Sequence, residues 1–383
     1  MSTKQKVIVG LSGGVDSSVA AFLLKEQGYD VTGVTMSIWN QKGNTTPTRK
    51  HSCYGPDEEE EIHEAREVAK LLKIPYHVFD CSSRYTELVL DYFRSEYLSG
   101  RTPNPCVKCN QHIKFGMLPE IAGKEGIEFD YFATGHYART GWDKNRKRFL
   151  LKKGIDNWKD QTYFISRLSQ QQLANVLFPL GSLTKKEVRE IAGKIDIPLS
   201  EKEESQDFYS GDYKELLNVS DQPGDIVNRL GNILGKHAGI WNFTIGQRKG
   251  LGIAYSEPLY VIELNKEKNQ VIVGTRSEVL STSFIVNDLN WIAIENLTGQ
   301  MEISAKIRSA QKASPAMMEP IVEDYVKVVF HQANDGITPG QLAVFYQDDI
   351  VIGGGTIQKV LQNEITEGVI SVQKNLNNKP IQC

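Results

Sequence analysis

KVIVGLSGGVDSSVAAFLLK, residues 6–25, is the stretch that decides the fold. An apolar run reading as a strand, residues 7–10, passes through a Ser/Gly turn into residues 17–27, whose apolar positions recur at helical spacing. Gly13 and Gly14 permit a tight turn and close approach of the backbone to a ligand. The N–H groups of the turn and of the helix N-terminus converge on one spot, which favours an anion there.

Outward from this loop the first half keeps alternating. Residues 31–38 read as a strand; Ile62, Ala65, Val68, Ala69 and Leu72 fall at helical spacing; residues 76–79 read as a strand again. A helix over 86–97, a loop over 100–110 and a strand over 131–134 extend the series. Such alternation predicts an α/β fold with a doubly wound parallel sheet, whose ligands sit at the carboxyl ends of the strands. Thr184, with Glu187 three residues on, predicts a capped helix over 183–192 that closes a first domain, residues 1–215. From there the texture changes to short, glycine-punctuated segments such as PGDIVNRLGNILGKHAGIW, predicting a small central α/β or β-rich domain over 216–280. MEISAKIRS, VKVVFHQ, GQLAVFYQ and DIVIGGGTI then read as strands of a C-terminal β-barrel, residues 281–383. The acidic run 57–61 reads as a solvated helix start whose carboxylates complement the helix dipole.

At 383 residues the chain exceeds the usual single domain, and 40% hydrophobic with 24% charged residues is the balance of a soluble globular protein. No apolar run approaches the roughly 20 residues a membrane span needs. The start, MSTKQKVIVG, lacks a long apolar signal region, so a cytoplasmic location is expected. A net charge of −3 excludes a uniformly basic coat for nucleic acid but leaves local patches open. One such patch, residues 144–153 with six Lys or Arg, suits phosphate contacts and equally suits a solvated hairpin.

Five cysteines form an odd set, which points to reactive or metal-binding thiols rather than a disulfide framework. Cys106 and Cys109, in RTPNPCVKCNQHIKF, form a C-x-x-C between two prolines that stiffen the backbone and a helix whose N-terminus would lower a nearby thiol's pKa. No second C-x-x-C or C-x-x-H pair accompanies them to complete a zinc site. Cys81, beside a strand, reads as a buried small hydrophobe, and Cys383 as a chain-end residue.

The loop lacks the lysine of G-x-x-x-x-G-K-[ST], so it is not the P-loop of kinases and GTPases. SGGVDSS instead resembles the PP-loop of enzymes that split ATP into AMP and pyrophosphate. GLSGGVDSS, TPNPCVKCN, ATGHYA, KDQTYF, FPLGSLTKKEVRE, FTIGQRKGLGI and TPGQLAVFY occur in the order and at the spacings of the bacterial tRNA-specific 2-thiouridylase family, over nearly the whole chain. The resemblance implies a PP-loop, adenine nucleotide alpha hydrolase-like fold. It also implies an activity: ATP adenylates C2 of the wobble uridine of a tRNA, and a cysteine persulfide then replaces the oxygen with sulfur as AMP leaves. ATP and Mg²⁺ are the implied cofactors. The implied partners are tRNA and a cysteine desulfurase or sulfur-relay protein, with a monomer expected.

Carried over residue by residue, the resemblance assigns ATP contacts to Gly10, Leu11, Ser12, Gly13, Gly14, Val15, Asp16, Ser17, Met36 and Gly135, with Asp16 helping to place magnesium. Cys109 matches the nucleophile. Asn104, Pro105 and Cys106 match the segment that meets the target base, Lys159, Asp160 and Gln161 one that meets tRNA, and His136, Arg308 and Gln341 further contacts. Tyr163 and Phe164 could stack on a flipped base or belong to the core.

The chain departs from the family at two points. Most relatives carry a second catalytic cysteine where EESQDFYSGDY, residues 203–213, has Tyr209, and many have aspartate where this chain has Cys106. Three explanations stand open. Cys106 takes over as disulfide partner of Cys109; or Cys106, Cys109 and Cys53 ligate an iron–sulfur cluster; or the chain is an RNA-binding paralogue with altered thiolation. A different PP-loop ligase, which would admit ammonia, needs no thiol beside its site.

Overall fold

The computed structural model describes residues 4–39, 52–195, 207–209, 211–322 and 324–361. Cys383, and residues 203–206 and 210 of the segment around Tyr209, lie outside them. In chain order the first elements are β1 (Lys6–Gly10), α1 (Val15–Glu26), β2 (Asp30–Ser37), β3 (Ser52–Tyr54), α2 (Glu58–Leu72), β4 (Tyr76–Asp80) and β5 (Tyr131–Ala133).

Val7, Ile8 and Val9 are each at most 1% exposed, so β1 is covered on both faces, as a central parallel strand must be. Burying each side chain is worth about 1.5–3 kcal/mol. The sheet order is β4-β2-β1-β5 with Val176–Leu177 at the far edge, all parallel. From β1 the chain runs outward to β2 and then β4, and returns to the opposite side with β5. The strand order therefore reverses between β1 and β5, which makes the crevice past Gly10 and Ala133 the expected ligand site. The predicted capping box is present: Thr184 and Glu187 bond each other's backbone N–H at the start of the helix Lys185–Lys194.

Strands Gly224–Asn228, Ile233–His237, Tyr260–Asn265 and Gln270–Gly274 form a separate four-stranded sheet. Its Val261, Val271 and Val273 share one core with Tyr85, Phe93, Phe208 and Tyr209. The strands Ser281–Trp291, Tyr325–Asn334, Ser314–Val322, Met301–Lys306, Leu342–Gln347 and Ile350–Leu361 pair in that order, and the first closes on the last, Phe284 facing Val360. Closure leaves the barrel no open edge.

Three sequence expectations change. The stretch 100–110 is a loop only as far as Asn104, because Asn104 caps a helix that begins at Pro105 and carries both cysteines. The basic stretch 144–153 lies on a hairpin, Ala138–Asp143 with Arg148–Lys153, which pairs with the barrel through Lys152 and Ile350. Arg148 donates to the carbonyls of Ile292 (2.7 Å) and Trp291 (3.1 Å), so this part of the patch fastens the hairpin to the barrel. The acidic run is more than a solvated helix start. Glu58 accepts from Ser37 Oγ (2.7 Å) and from the N–H of Ile38 (2.6 Å) and Trp39 (2.9 Å), tying α2 to the end of β2.

Candidate active site

The loop after β1 is held by β2 at its start and by short-range bonds of its own beyond that. Leu11 N–H reaches Val34 O at 2.9 Å, Thr35 Oγ1 donates to Leu11 O at 2.6 Å, and Ser17 and Ser18 hydroxyls donate to Gly14 O at 3.1 and 2.8 Å. Ser12 N–H in turn bonds Ser17 Oγ at 3.2 Å. Gly13 has φ +72°, and a Cβ there would lie 2.6 Å from Glu61 O, so glycine is required twice over. Gly14 is the helix N-cap and brings no side chain to cap it, which leaves the first N–H groups of α1 directed into the crevice. Leu11 and Val15 are buried at 3% and 6%, so what they can offer a ligand is backbone. Met36 is partly buried against the core at the end of β2.

Gly135, just past β5, closes the loop from the other side. A Cβ there would fall 2.7 Å from Asp16 C and Ser17 N. Asp16 projects from the first turn of α1 and is held by Lys185 Nζ, 2.8 and 2.9 Å from its two oxygens, and by Tyr137 Oη at 2.8 Å. Gln161 Oε1 accepts from Tyr137 N–H at 3.0 Å and so steadies that tyrosine. The donor set suits a nucleoside polyphosphate with a divalent cation: uncapped N–H groups and glycines meet the anion, and a carboxylate stands beside it for the metal.

Cys106 and Cys109 lie on one continuous helical stretch. Pro105–Lys108 is α-helical, and Cys109–Met117 winds as a π-helix, a form found mostly at functional sites. Both thiols are partly accessible yet packed by the core that contains Tyr54, Tyr85 and Tyr209. The expected lowering of their pKa is reversed: burial pushes Cys106 up to about 12 and Cys109 up to about 11, with Lys114 working in the opposite direction on both. Burial also raises Cys81 to about 12, in keeping with its reading as a buried small hydrophobe.

Cys53 sits on β3, which pairs in parallel with Asp207–Tyr209, Tyr54 facing Tyr209. It is near enough for its charge to act on both helix thiols. Among the described residues, however, no three His, Cys, Asp or Glu side chains group closely enough to hold one metal ion. At the position of the missing cysteine, Tyr209 is 7% exposed and donates to Glu215 Oε2 at 2.9 Å.

Lys114, on the thiol helix, works through its charge on His136 as well; burial first and that charge second hold His136 well below its ordinary pKa and therefore neutral, and its Nδ1 meets Thr134 Oγ1 at 2.8 Å. His136 follows Gly135 and its ring lies 5.5 Å from that of Phe115 on the thiol helix, while Cys106 and Cys109 pack on the same core as Met36, so thiols, imidazole and nucleotide loop adjoin one another.

The remaining assigned residues divide. Lys159 and Asp160 follow Trp158, which is 91% exposed, on a loop fixed by Asp156. Asp160 accepts from Thr162 Oγ1 at 2.9 Å. Arg308 is bound inward, donating to Ile245 O (2.7 Å) and Thr338 Oγ1 (2.9 Å) and joining the central unit to the barrel. Gln341 donates to Pro103 O at 3.1 Å and so braces the loop ahead of Asn104. Tyr163 is fully buried, its hydroxyl bonded to Leu342 O at 2.9 Å, and is core; Phe164 is partly buried beside it.

Sequence reasoning missed Lys185, Tyr137 and Lys114. Lys185 did leave a signal: it occupies the first position of a helix, where a cation opposes the helix dipole by about 0.3–1 kcal/mol, so it is there for another reason.

Three family models match the chain: the tRNA methyl transferase HUP domain over residues 5–209, the tRNA methyl transferase PRC-barrel domain over 214–275 and the aminomethyltransferase beta-barrel domain over 281–357. Among curated proteins the chain is 49% identical to the tRNA-specific 2-thiouridylase MnmA of Endomicrobium trichonymphae, over 93% of this chain and 100% of that one. It is 46% identical to tRNA-specific 2-thiouridylase MnmA 1 of Caldanaerobacter subterraneus subsp. tengcongensis, over 94% and 99%, and 44% identical to the MnmA of Acetivibrio thermocellus, over 93% and 100%.

Proposed function

We propose that this chain, which belongs to the tRNA-specific 2-thiouridylase family, uses ATP to activate a tRNA uridine at C2 and replaces the C2 oxygen with sulfur carried on Cys109. The observation that carries this reading is the packing of the thiol helix against the nucleotide loop: Gly135 lies against Asp16, the ring of His136, next in sequence, is 5.5 Å from that of Phe115 on the thiol helix, and Cys109 packs on the same core as Met36.

The uncapped N–H groups after Gly14 hold the pyrophosphate portion of ATP, and Gly10 to Ser17 with Met36 and Gly135 shape the nucleotide site. Mg²⁺, when bound beside Asp16, neutralises charge that develops on the departing pyrophosphate. Asn104, Pro105 and Cys106 face the target uridine. Lys159 and Asp160 meet the tRNA, while Gln161, Arg308 and Gln341 keep the surrounding surface in shape. His136, neutral in its enclosed position, offers a hydrogen bond to the base without adding charge.

A cysteine desulfurase or sulfur-relay protein leaves a persulfide on Cys109. Its terminal sulfur attacks the adenylated C2, and AMP leaves. The Cys106 thiolate then attacks Cys109 Sγ, the S–S bond to the outgoing sulfur breaks, and 2-thiouridine departs as a Cys106–Cys109 disulfide forms. An external dithiol reduces that disulfide. Residues one helical turn apart have Cβ atoms about 5–6 Å from one another, against about 3.5–4.5 Å in a disulfide, so the turn tightens as the bond closes. Lys114 favours the thiolate form of both cysteines against the burial that opposes it.

The test separates the two half-reactions. Cys109→Ser should release pyrophosphate from ATP in a tRNA-dependent burst while forming no thiolated base. Loss of the burst together with thiolation, in a folded variant, would mean that Cys109 serves the nucleotide site instead.

A further inference from the structure

Asp16 lies in the first turn of α1, beside the N–H groups that would receive an anion, so a polyphosphate there meets a like charge unless a cation stands between them. In this structure the cation is Lys185, whose Nζ contacts both carboxylate oxygens at 2.8 and 2.9 Å in a largely covered setting, 13% and 24% of the two side chains being exposed. With both oxygens engaged by Nζ and one also receiving Tyr137 Oη, the carboxylate has little capacity left for a divalent cation.

The backbone of Lys185 is fixed. Its N–H donates to Asp156 Oδ2 at 3.0 Å, and a capping box holds the start of its helix. The side chain, with four rotatable bonds, is the part that can change partner. Its own helix dipole opposes the charge where it stands, which favours a move toward an arriving anion. Tyr137, 1% exposed and bonded through its N–H to Gln161, keeps hold of Asp16 when the lysine leaves.

We infer that Lys185 is a nucleotide-operated counter-ion: it occupies Asp16 until a polyphosphate arrives, then transfers to the phosphate and frees the carboxylate for the divalent cation. The metal accordingly binds after the nucleotide or together with it, and not before. This rests on the reading of the loop as an ATP site with Asp16 as its metal carboxylate.

The test uses the full chain, Mn²⁺ as the metal probe and the α,β-methylene analogue of ATP, which cannot be split at that bond. Free Mn²⁺ is followed by electron paramagnetic resonance and nucleotide affinity by calorimetry. Wild type should take up Mn²⁺ at one equivalent only when the analogue is present. Lys185→Gln should bind Mn²⁺ without nucleotide at least tenfold more tightly than wild type and bind the analogue at least tenfold more weakly; Lys185→Arg should keep the wild-type order. Adding Asp16→Asn to Lys185→Gln should abolish the gained metal site.

Stoichiometric nucleotide-free Mn²⁺ binding by wild type would overturn the inference. So would the absence of any gain in Lys185→Gln, with thermal melting showing that the variant is folded, or a gain that survives Asp16→Asn. If wild type fails to bind the analogue at all, the ATP reading itself fails, an outcome distinct from these three.

Discussion

The nucleotide loop and the thiol helix adjoin through His136 and Phe115, whose rings lie 5.5 Å apart, but different things fix them. In the loop, Ser12, Gly14, Ser17 and Ser18 bond one another over at most five residues, and Gly13 is forced both by a positive φ and by the Glu61 carbonyl beside it. In the thiol helix, local sequence supplies an Asn104 cap and two cysteines one turn apart, yet their chemistry is set from elsewhere. Burial under Tyr54 and Tyr85 raises both thiols, and Lys114 and Cys53 then adjust them in opposite senses. A ligand cradle can be written in eight residues, whereas the reactivity of a thiol is a property of the packed molecule.

The most damaging change to the loop is one methyl group. Gly135→Ala places a Cβ against the backbone of Asp16 and Ser17, neither of which can rotate away. Pyrophosphate release should fall at least a hundredfold and the protein should lose about 1–3 kcal/mol, read from denaturant melts. Near-normal pyrophosphate release would show that the loop has room to shift.

On the thiol side, Cys106→Ala should leave pyrophosphate release intact but hold the tRNA on Cys109 through the S–S bond until an external thiol frees it, slowing release of 2-thiouridine at least tenfold from the first turnover onward. Full multiple-turnover thiolation would remove Cys106 from the partner role.

A smaller effect distinguishes the cation from the burial. Lys114 favours the thiolate of Cys109, so Lys114→Met should raise that pKa further above about 11. Below that pH the thiolate fraction, and with it the alkylation rate of Cys109 by iodoacetamide, should drop several-fold, a tenfold drop corresponding to one pKa unit. An unchanged rate–pH profile would mean that Lys114 does not act on the thiol.

The sequence–structure correspondence follows the same division. The parallel sheet, α1, the capping box at Thr184 and the barrel strands were legible because alternation, glycines and caps act over a few residues. The Lys185–Asp16 pair spans 169 residues, and Cys53 meets the strand of Tyr209 through a pairing between distant segments, neither of which periodicity records. For the stretch 144–153 the sequence leaves phosphate contacts and a solvated hairpin equally open, because nothing in it announces that the barrel's Ile350 lies alongside. The thiol pKa values were misread for a related reason: the helix N-terminus is visible in the sequence and the core around it is not.

The most direct measurement is mass spectrometry of nucleosides from tRNA incubated with the enzyme, ATP and a persulfide donor or sulfide, comparing wild type with Cys109→Ser. Wild type should yield 2-thiouridine only when ATP is present, and Cys109→Ser none. Absence of 2-thiouridine with every donor, or its formation without Cys109, would contradict a reaction in which the loop activates the base and Cys109 delivers the sulfur.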